Sequence, residues 1–242
     1  MRLHMKWWHP LAAITAAAAL LLTPTPSIFA SSGEPEPPPV LIIDAGHGGA
    51  DGGAVAPDGT LESDINLDIA LRLEALAAFW GVQTVMTRSA ETIDYPDSAL
   101  TLAAMKKADQ DERIAVINAV PNGVLVSVHQ NNYSAPQPSG IQVFYGTEPG
   151  GGELAAVMQD NLTAGLCPEN RRVAAPIDEG IYLMRHAACP AVLVECGFLS
   201  NPGELRKLET EEYRTQLAVV MLASYMQYTQ DAAVRTAPVR EA

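Results

Sequence analysis

The stretch that decides the fold is Val40–Gly53, VLIIDAGHGGADGG. Four apolar residues, Val40 to Ile43, run without interruption into Asp44 and then into a glycine cluster around His47. A short continuous apolar run that ends in turn residues reads as a buried strand delivering a loop. The pattern recurs downstream. Val124–Val128 ends at His129, and Ala191–Val194 ends at Glu195. Segments with helical character separate the runs. Ser63 is a candidate N-cap for a helix to about Phe79, in which Ile65, Ile69, Leu73 and Leu76 share one face. Thr101–Asn118, Gly152–Leu166, Pro202–Leu208 and Glu211–Tyr228 also read as helices. Val82–Met86 and Gly140–Tyr145 read as strands, and Tyr182–Met184 as a further short strand. Apolar strands alternating with helices predict an α/β fold: a single domain with a mostly parallel central sheet and helices on both faces.

Ligands and reacting groups in such sheets gather beyond the carboxyl ends of the strands. Three of those ends carry His47, His129 and Glu195, and Glu62 stands at the predicted start of the first helix on the same rim. Two histidines and one carboxylate form a ligand set for a catalytic zinc with one position open, and a second carboxylate then remains as a general base. Taken singly, each residue has a plainer reading: a loop histidine, a carboxylate complementing a helix dipole, a strand-end histidine, a paired buried glutamate. The glycine loop itself is no nucleotide loop. It lacks the Gly-Lys-Ser/Thr ending of a P-loop, and Asp51 occupies the third glycine position of a dinucleotide fingerprint.

Composition narrows the function classes. The 242 residues are 48% apolar and 18% charged, which supports a sizeable core. The net charge of −13 argues against nucleic acid as a partner and against electrostatic docking on an anionic membrane. Cys167, Cys189 and Cys196 are too few for a disulfide framework and have no zinc-knuckle spacing. Arg2 and Lys6 precede an apolar run, Leu11–Leu22, so residues 1–30 read as a signal peptide or a signal anchor. The run is short for a membrane span, and any membrane contact is expected only through this segment if it stays uncut. Residues 31–39 (SSGEPEPPP) read as a Pro-rich linker, 40–228 as the catalytic domain and 229–242 as a flexible tail.

Several motifs together resemble one family. Leu41–Gly53 (LIIDAGHGGADGG), Leu61–Leu67 (LESDINL), Thr87-Arg88, Ser127–Asn131 (SVHQN) and Pro190–Pro202 (PAVLVECGFLSNP) occur in the order seen in the zinc-dependent N-acetylmuramoyl-L-alanine amidases of the type-3 amidase family. The resemblance implies one Zn2+ per domain held by His47, Glu62 and His129, with Glu195 as the catalytic base. It implies peptidoglycan as substrate, cleaved between the lactoyl group of N-acetylmuramic acid and L-alanine. The enzyme would then be secreted, or anchored on the outer side of the cytoplasmic membrane, and work at the cell wall. Without accessory wall-binding repeats, the chain looks most like the spore-cortex, germination-specific amidases, whose action precedes muramic δ-lactam formation. An activator or adaptor protein is a candidate partner. Ala45, Gln130, Asn132 and Cys196 depart from the usual motif residues without touching the four site positions. Two other readings stand beside this one: a zinc carboxypeptidase-like peptidase, and a non-catalytic wall-binding or regulatory module. Arg185 and His186 are further candidates for the site rim, and the loop Ser134–Ser139 for the edge of a groove.

Overall fold

The computed structural model describes residues 37–178 and 180–236. The expected signal segment lies outside these residues, as does most of the linker. Six strands form one sheet: β1 (Val40–Ala45), β2 (Thr84–Met86), β3 (Gly123–Asn131), β4 (Gln142–Tyr145), β5 (Ala175–Pro176) and β6 (Ala191–Phe198). Their order is β2-β1-β3-β6-β4-β5. The pairs β1–β2, β1–β3 and β3–β6 are parallel, whereas β4 runs antiparallel to β6. The sheet is thus mostly parallel, as its apolar strands predict. The two-residue β5, with Pro176 at the sheet edge, carries no sequence signal beyond a residue type that edges tolerate.

The helices are α1 (Glu62–Phe79), α2 (Leu102–Asn118), α3 (Gly151–Leu166), α4 (Tyr182–His186), α5 (Pro202–Leu208) and α6 (Glu211–Thr236). They cover both faces. Ile65, Ile69 and Leu73 of α1 pack with Leu154 and Met158 of α3 and Leu217 and Met221 of α6 against Leu41, Ile43, Val126, Val192 and Val194. On the other face Ile117 of α2 and Leu183 and Met184 of α4 meet Ile42, Leu125, Ala191 and Leu193. Successive strand residues alternate between these two cores, as the period of two requires. No helix among the described residues is long and apolar enough to cross a membrane.

Four local expectations change. Tyr182–His186 is a short helix, not a strand. Leu183 and Met184 bury themselves from a helical turn just as a strand would bury them, and so short an apolar run does not distinguish the two. Ser63 is not the N-cap of α1. That position is Leu61, which has no side-chain cap, and the backbone N–H groups of Glu62 and Ser63 donate instead to the carbonyls of Ala54 and Gly52 at 2.9 and 3.1 Å. The glycine loop therefore caps the helix that carries Glu62. β3 and β6 extend past His129 and Glu195 to Asn131 and Phe198, because the ladder continues after the apolar run stops. Helix α6 runs on to Thr236, past the point at which composition places a loose tail.

Candidate active site

The face of the sheet that is covered by α2 and α4 turns from apolar to polar along each central strand. On β1, Ile42 gives way to Asp44. On β3, Leu125 is followed by Ser127 and His129. On β6, Leu193 is followed by Glu195. Register then assembles these positions: Asp44 is level with Ser127, and His129 with Glu195. Because aligned residues of parallel strands point the same way, one line of polar side chains crosses the carboxyl end of the sheet.

His47 and Glu62 reach this line from the glycine loop and the first turn of α1. His47 has a left-handed backbone, φ 60°. Its Nε2 lies 3.4 Å from Glu62 Oε2, and His129 Nδ1 lies 3.0 Å from Glu62 Oε1. One ligand atom from each of His47, Glu62 and His129 falls within 4.8 Å of the others, so this is a group that could hold a metal ion. Two glycines make the approach feasible. A Cβ at Gly46 would collide with the imidazole of His129, and one at Gly53 would sit 2.7 Å from Glu62 Oε2 and 2.8 Å from the His47 ring.

The two glutamates of the site have opposite surroundings. Glu62 accepts from the backbone N–H of Ala54 (2.9 Å) and Gln130 (3.0 Å) and from Asn66 Nδ2 (3.3 Å). Burial alone would raise its pKa, but hydrogen bonds and charge from His129 and His47 outweigh it and hold the carboxyl well below the usual range. Glu195 Oε2 is buried without a hydrogen-bond partner. Its burial, against the attraction of His129 and with added repulsion from Glu62, pushes its pKa up to about 7. A carboxyl that titrates near neutrality can take and return a proton.

A further layer, which the motifs did not reveal, fixes the loop. Asp51 Oδ2 sits 2.8 Å from His47 Nδ1 and Asp51 Oδ1 2.8 Å from Lys106 Nζ. Burial disfavours the charged ring of His47, yet Glu62 and Asp51 more than offset this and raise its pKa to about 9. Arg113 of α2 lies between Asp44 (2.7 Å) and Asp109 (2.9 Å) and donates to the carbonyls of Ala45 (2.7 Å) and His47 (2.6 Å). Arg88, also buried, spends its donors on the carbonyls of Ala45, Gly46, Ser63 and Ala90. The spacing of four between His47 and Asp51, and a charged residue on the inward face of α2, were the available signals.

Apart from Arg88, which lies behind the loop, these residues line a cleft of about 290 Å³ together with Gln110 of α2 and Gly180–Leu183. The structure brings His47, Glu62, His129 and Glu195 together there. It does not bring in Arg185 or His186. His186 stacks on Tyr182 at 4.1 Å between centroids and sits 2.8 Å from its carbonyl. Of the 134–139 loop, Ser139 lines a separate depression with Asn170 and Arg172. Cys167, Cys189 and Cys196 are free and buried. Burial pushes Cys196 far above the usual thiol range, in keeping with a packed residue.

Residues 41–224 match the family model for N-acetylmuramoyl-L-alanine amidase, Amidase_3. The chain belongs to this family. The amidase is 33% identical over 190 residues to the germination-specific N-acetylmuramoyl-L-alanine amidase of Bacillus subtilis (strain 168), covering 78% of this chain and 79% of the relative. Among solved structures, it is similar to the CwlD amidase from Clostridioides difficile, determined in complex with the GerS lipoprotein. That match has a TM-score of 0.76 at 32% identity and covers 80% of this chain and 99% of that one. An N-acetylmuramoyl-L-alanine amidase from Clostridium difficile 630 superposes with a TM-score of 0.69 at 27% identity, over 80% and 97% of the two chains. Each of these relatives is an amidase by name, and the amidase described here shares their α/β fold.

Proposed function

We propose that this amidase is a zinc hydrolase of the bond between the lactoyl group of N-acetylmuramic acid and L-alanine, acting on spore-cortex peptidoglycan. The observation that carries the reading is the donor set: His47, Glu62 and His129 converge within 4.8 Å, beside a half-buried Glu195 whose Oε2 is enclosed without a hydrogen-bond partner. The set fits the ion. Ligands about 2.0–2.1 Å from a tetrahedral zinc stand about 3.4 Å apart; the two oxygens of Glu62 lie 3.4 Å from His47 Nε2 and 3.0 Å from His129 Nδ1, and one ligand atom from each residue falls within 4.8 Å of the others, so a small inward shift closes the set on the ion. Asp51 on the second nitrogen of His47 is the usual orienting partner of a ligand imidazole. Bound zinc would polarise the scissile carbonyl and make water acidic enough to attack near neutral pH.

The chain's own residues do the rest. Glu195, level with His129 on the next strand, takes the proton from the attacking water and returns it to the departing amine of L-alanine. Its poor solvation raises its proton affinity above that of an exposed carboxylate, which favours taking the water's proton. Arg113 and Arg88 hold the loop backbone in place. Residues of α2 and residues 180–183 line the cleft that would receive the bond.

The cortex assignment, with its downstream δ-lactam chemistry, rests on the 33% identical germination-specific relative. An auxiliary protein partner is supported by the similar amidase solved with a lipoprotein. The site of action would be the cell wall, outside the cytoplasmic membrane. Digesting purified peptidoglycan and cortex fragments with the zinc-loaded protein, beside a Glu195→Gln control, tests the reading by mass spectrometry. Stem peptides beginning with L-alanine, together with peptide-free muramic acid, are expected from the parent alone. Products cut between amino acids would replace the amidase reading with a peptidase one.

A further inference from the structure

The cleft is crowded with carboxylates. Asp44, Asp51, Glu62, Asp109 and Glu195 all line it. Besides the histidines, two cations face them among the described residues, Arg113 and Lys106. Arg113 is buried and fully engaged, since its Nε, Nη1 and Nη2 donate to Asp109, to Asp44 and the Ala45 carbonyl, and to the His47 carbonyl. Lys106 differs. Its side chain is 43% exposed at the mouth of the cleft, and its Nζ meets one carboxylate, Asp51 Oδ1, at 2.8 Å. An ammonium has three donors, so two remain for a ligand. Asp51 in turn touches His47, which places Lys106 one carboxylate away from the metal-ligand group.

The two halves of the substrate differ in the charge they could bring to this position. The glycan beside the scissile bond offers hydroxyl and acetamido groups. The stem peptide offers carboxylates, and the first comes on the residue after L-alanine, where D-glutamate joined through its γ-carboxyl keeps a free α-carboxylate. Two residues of extended chain span at most about 7 Å, and Lys106 Nζ is linked to the His47 ring through Asp51 by two contacts of 2.8 Å each. Beyond the metal-ligand group the incoming carboxylate meets Asp51, so it needs a cation of its own at that position, and Lys106 is the one there.

We infer that Lys106 is a specificity-determining residue that receives the α-carboxylate of the second stem-peptide residue and thereby places the peptide, not the glycan, along the α2 wall. The inference rests on the amidase reading but is tested apart from turnover. Peptides of sequence L-alanyl-γ-D-glutamyl-L-lysine, with the α-carboxyl either free or amidated, are titrated into the zinc-loaded Glu195→Gln protein by calorimetry. The free acid is expected to bind about five- to tenfold more tightly, the size of one charge-assisted hydrogen bond near a surface. Lys106→Met in that background is expected to abolish the preference, and Lys106→Arg to retain it, with zinc content unchanged in both. Equal binding of acid and amide by the Lys106 protein overturns the inference, as does a preference that survives Lys106→Met. So does loss of zinc from Lys106→Met, which would make Lys106 merely a support for Asp51. Because binding is read in a protein disabled for turnover, absence of amidase activity in the parent would refute the proposed function and leave this test intact.

Discussion

Arg113→Met is the most informative single perturbation of the loop that carries His47. Asp44 and Arg113 are both buried, with side chains 1% and 5% exposed, and their contact is 2.7 Å. Removing one partner of such a pair strands the other and costs about 3–5 kcal/mol. The carbonyls of Ala45 and His47 each lose a donor as well, worth about 1 kcal/mol apiece, although water can reach the His47 end. With the His47 end rehydrated, a loss of about 5 kcal/mol is therefore expected in denaturant unfolding at neutral pH. Asp44→Asn should cost less, because Arg113 keeps Asp109 and both carbonyls. The double variant should be more stable than the sum of the single losses by about 2 kcal/mol or more, since the fully buried Asp44 charge is no longer left stranded. The acid limb gives a second readout. Burial would raise the Asp44 pKa, but Arg113 with the hydroxyls of Ser127 and Thr87 lowers it from 3.8 to about 2. A lowered folded-state pKa contributes stability that is fully present above about pH 4 and is lost as pH falls towards 2. At about 1.4 kcal/mol per unit this amounts to about 2 kcal/mol. Arg113→Met should remove that acid-sensitive component. A loss below about 1 kcal/mol, or strict additivity in the double variant, would refute the argument that this pair braces the loop.

Three other substitutions probe the site directly. Glu195→Gln should lower turnover by roughly 10²–10⁴-fold while zinc content stays at the parent's level, because the carboxyl is assigned to proton transfer; elemental analysis beside the kinetics checks both halves. Asp51→Asn removes the acceptor on His47 Nδ1 and should weaken zinc binding by roughly 10–100-fold in a chelator competition, and undiminished affinity would leave Asp51 without an orienting role. Gly46→Ala drives a methyl group into the His129 imidazole and should yield protein with little bound zinc and a lowered Tm. Parental zinc content and melting in that variant would mean that the loop yields more easily than its packing implies.

The sequence made legible what depends on short stretches of chain. Apolar runs located the central strands, and the rule that sites gather at their carboxyl ends pointed to His47, Glu62, His129 and Glu195 before any distance was known. What escaped depends on contacts between residues far apart in the chain. Arg113 meets Asp44 across 69 positions; its spacing of four from Ile117 hints that it turns inward, but nothing in α2 names the partner it meets there. The cap of α1 was missed for the same reason, because the acceptors come from the carbonyls of Gly52 and Ala54 and not from a capping side chain. Tyr182–His186 was misread because a five-residue helix and a short strand bury the same two apolar residues. Backbone carbonyls, which every residue has, leave no mark in a sequence. Much of what holds this loop is made of them.

The same dependence on surroundings separates two residues that a sequence cannot tell apart. Glu62 and Glu195 are chemically identical and stand on one rim. Glu62 begins a helix whose N-terminal dipole favours negative charge, and it receives two backbone N–H groups and an amide besides the histidines. That environment suits a permanently ionised ligand. Glu195 follows four apolar residues along a strand buried on both faces, and its Oε2 has no donor. Desolvation there favours the neutral acid, so the group can exchange a proton near neutral pH. The division of labour proposed for ligand and base thus follows from where each carboxylate leaves its element: one at a helix start rich in donors, the other inside a ladder whose donors are already spent on the neighbouring strands.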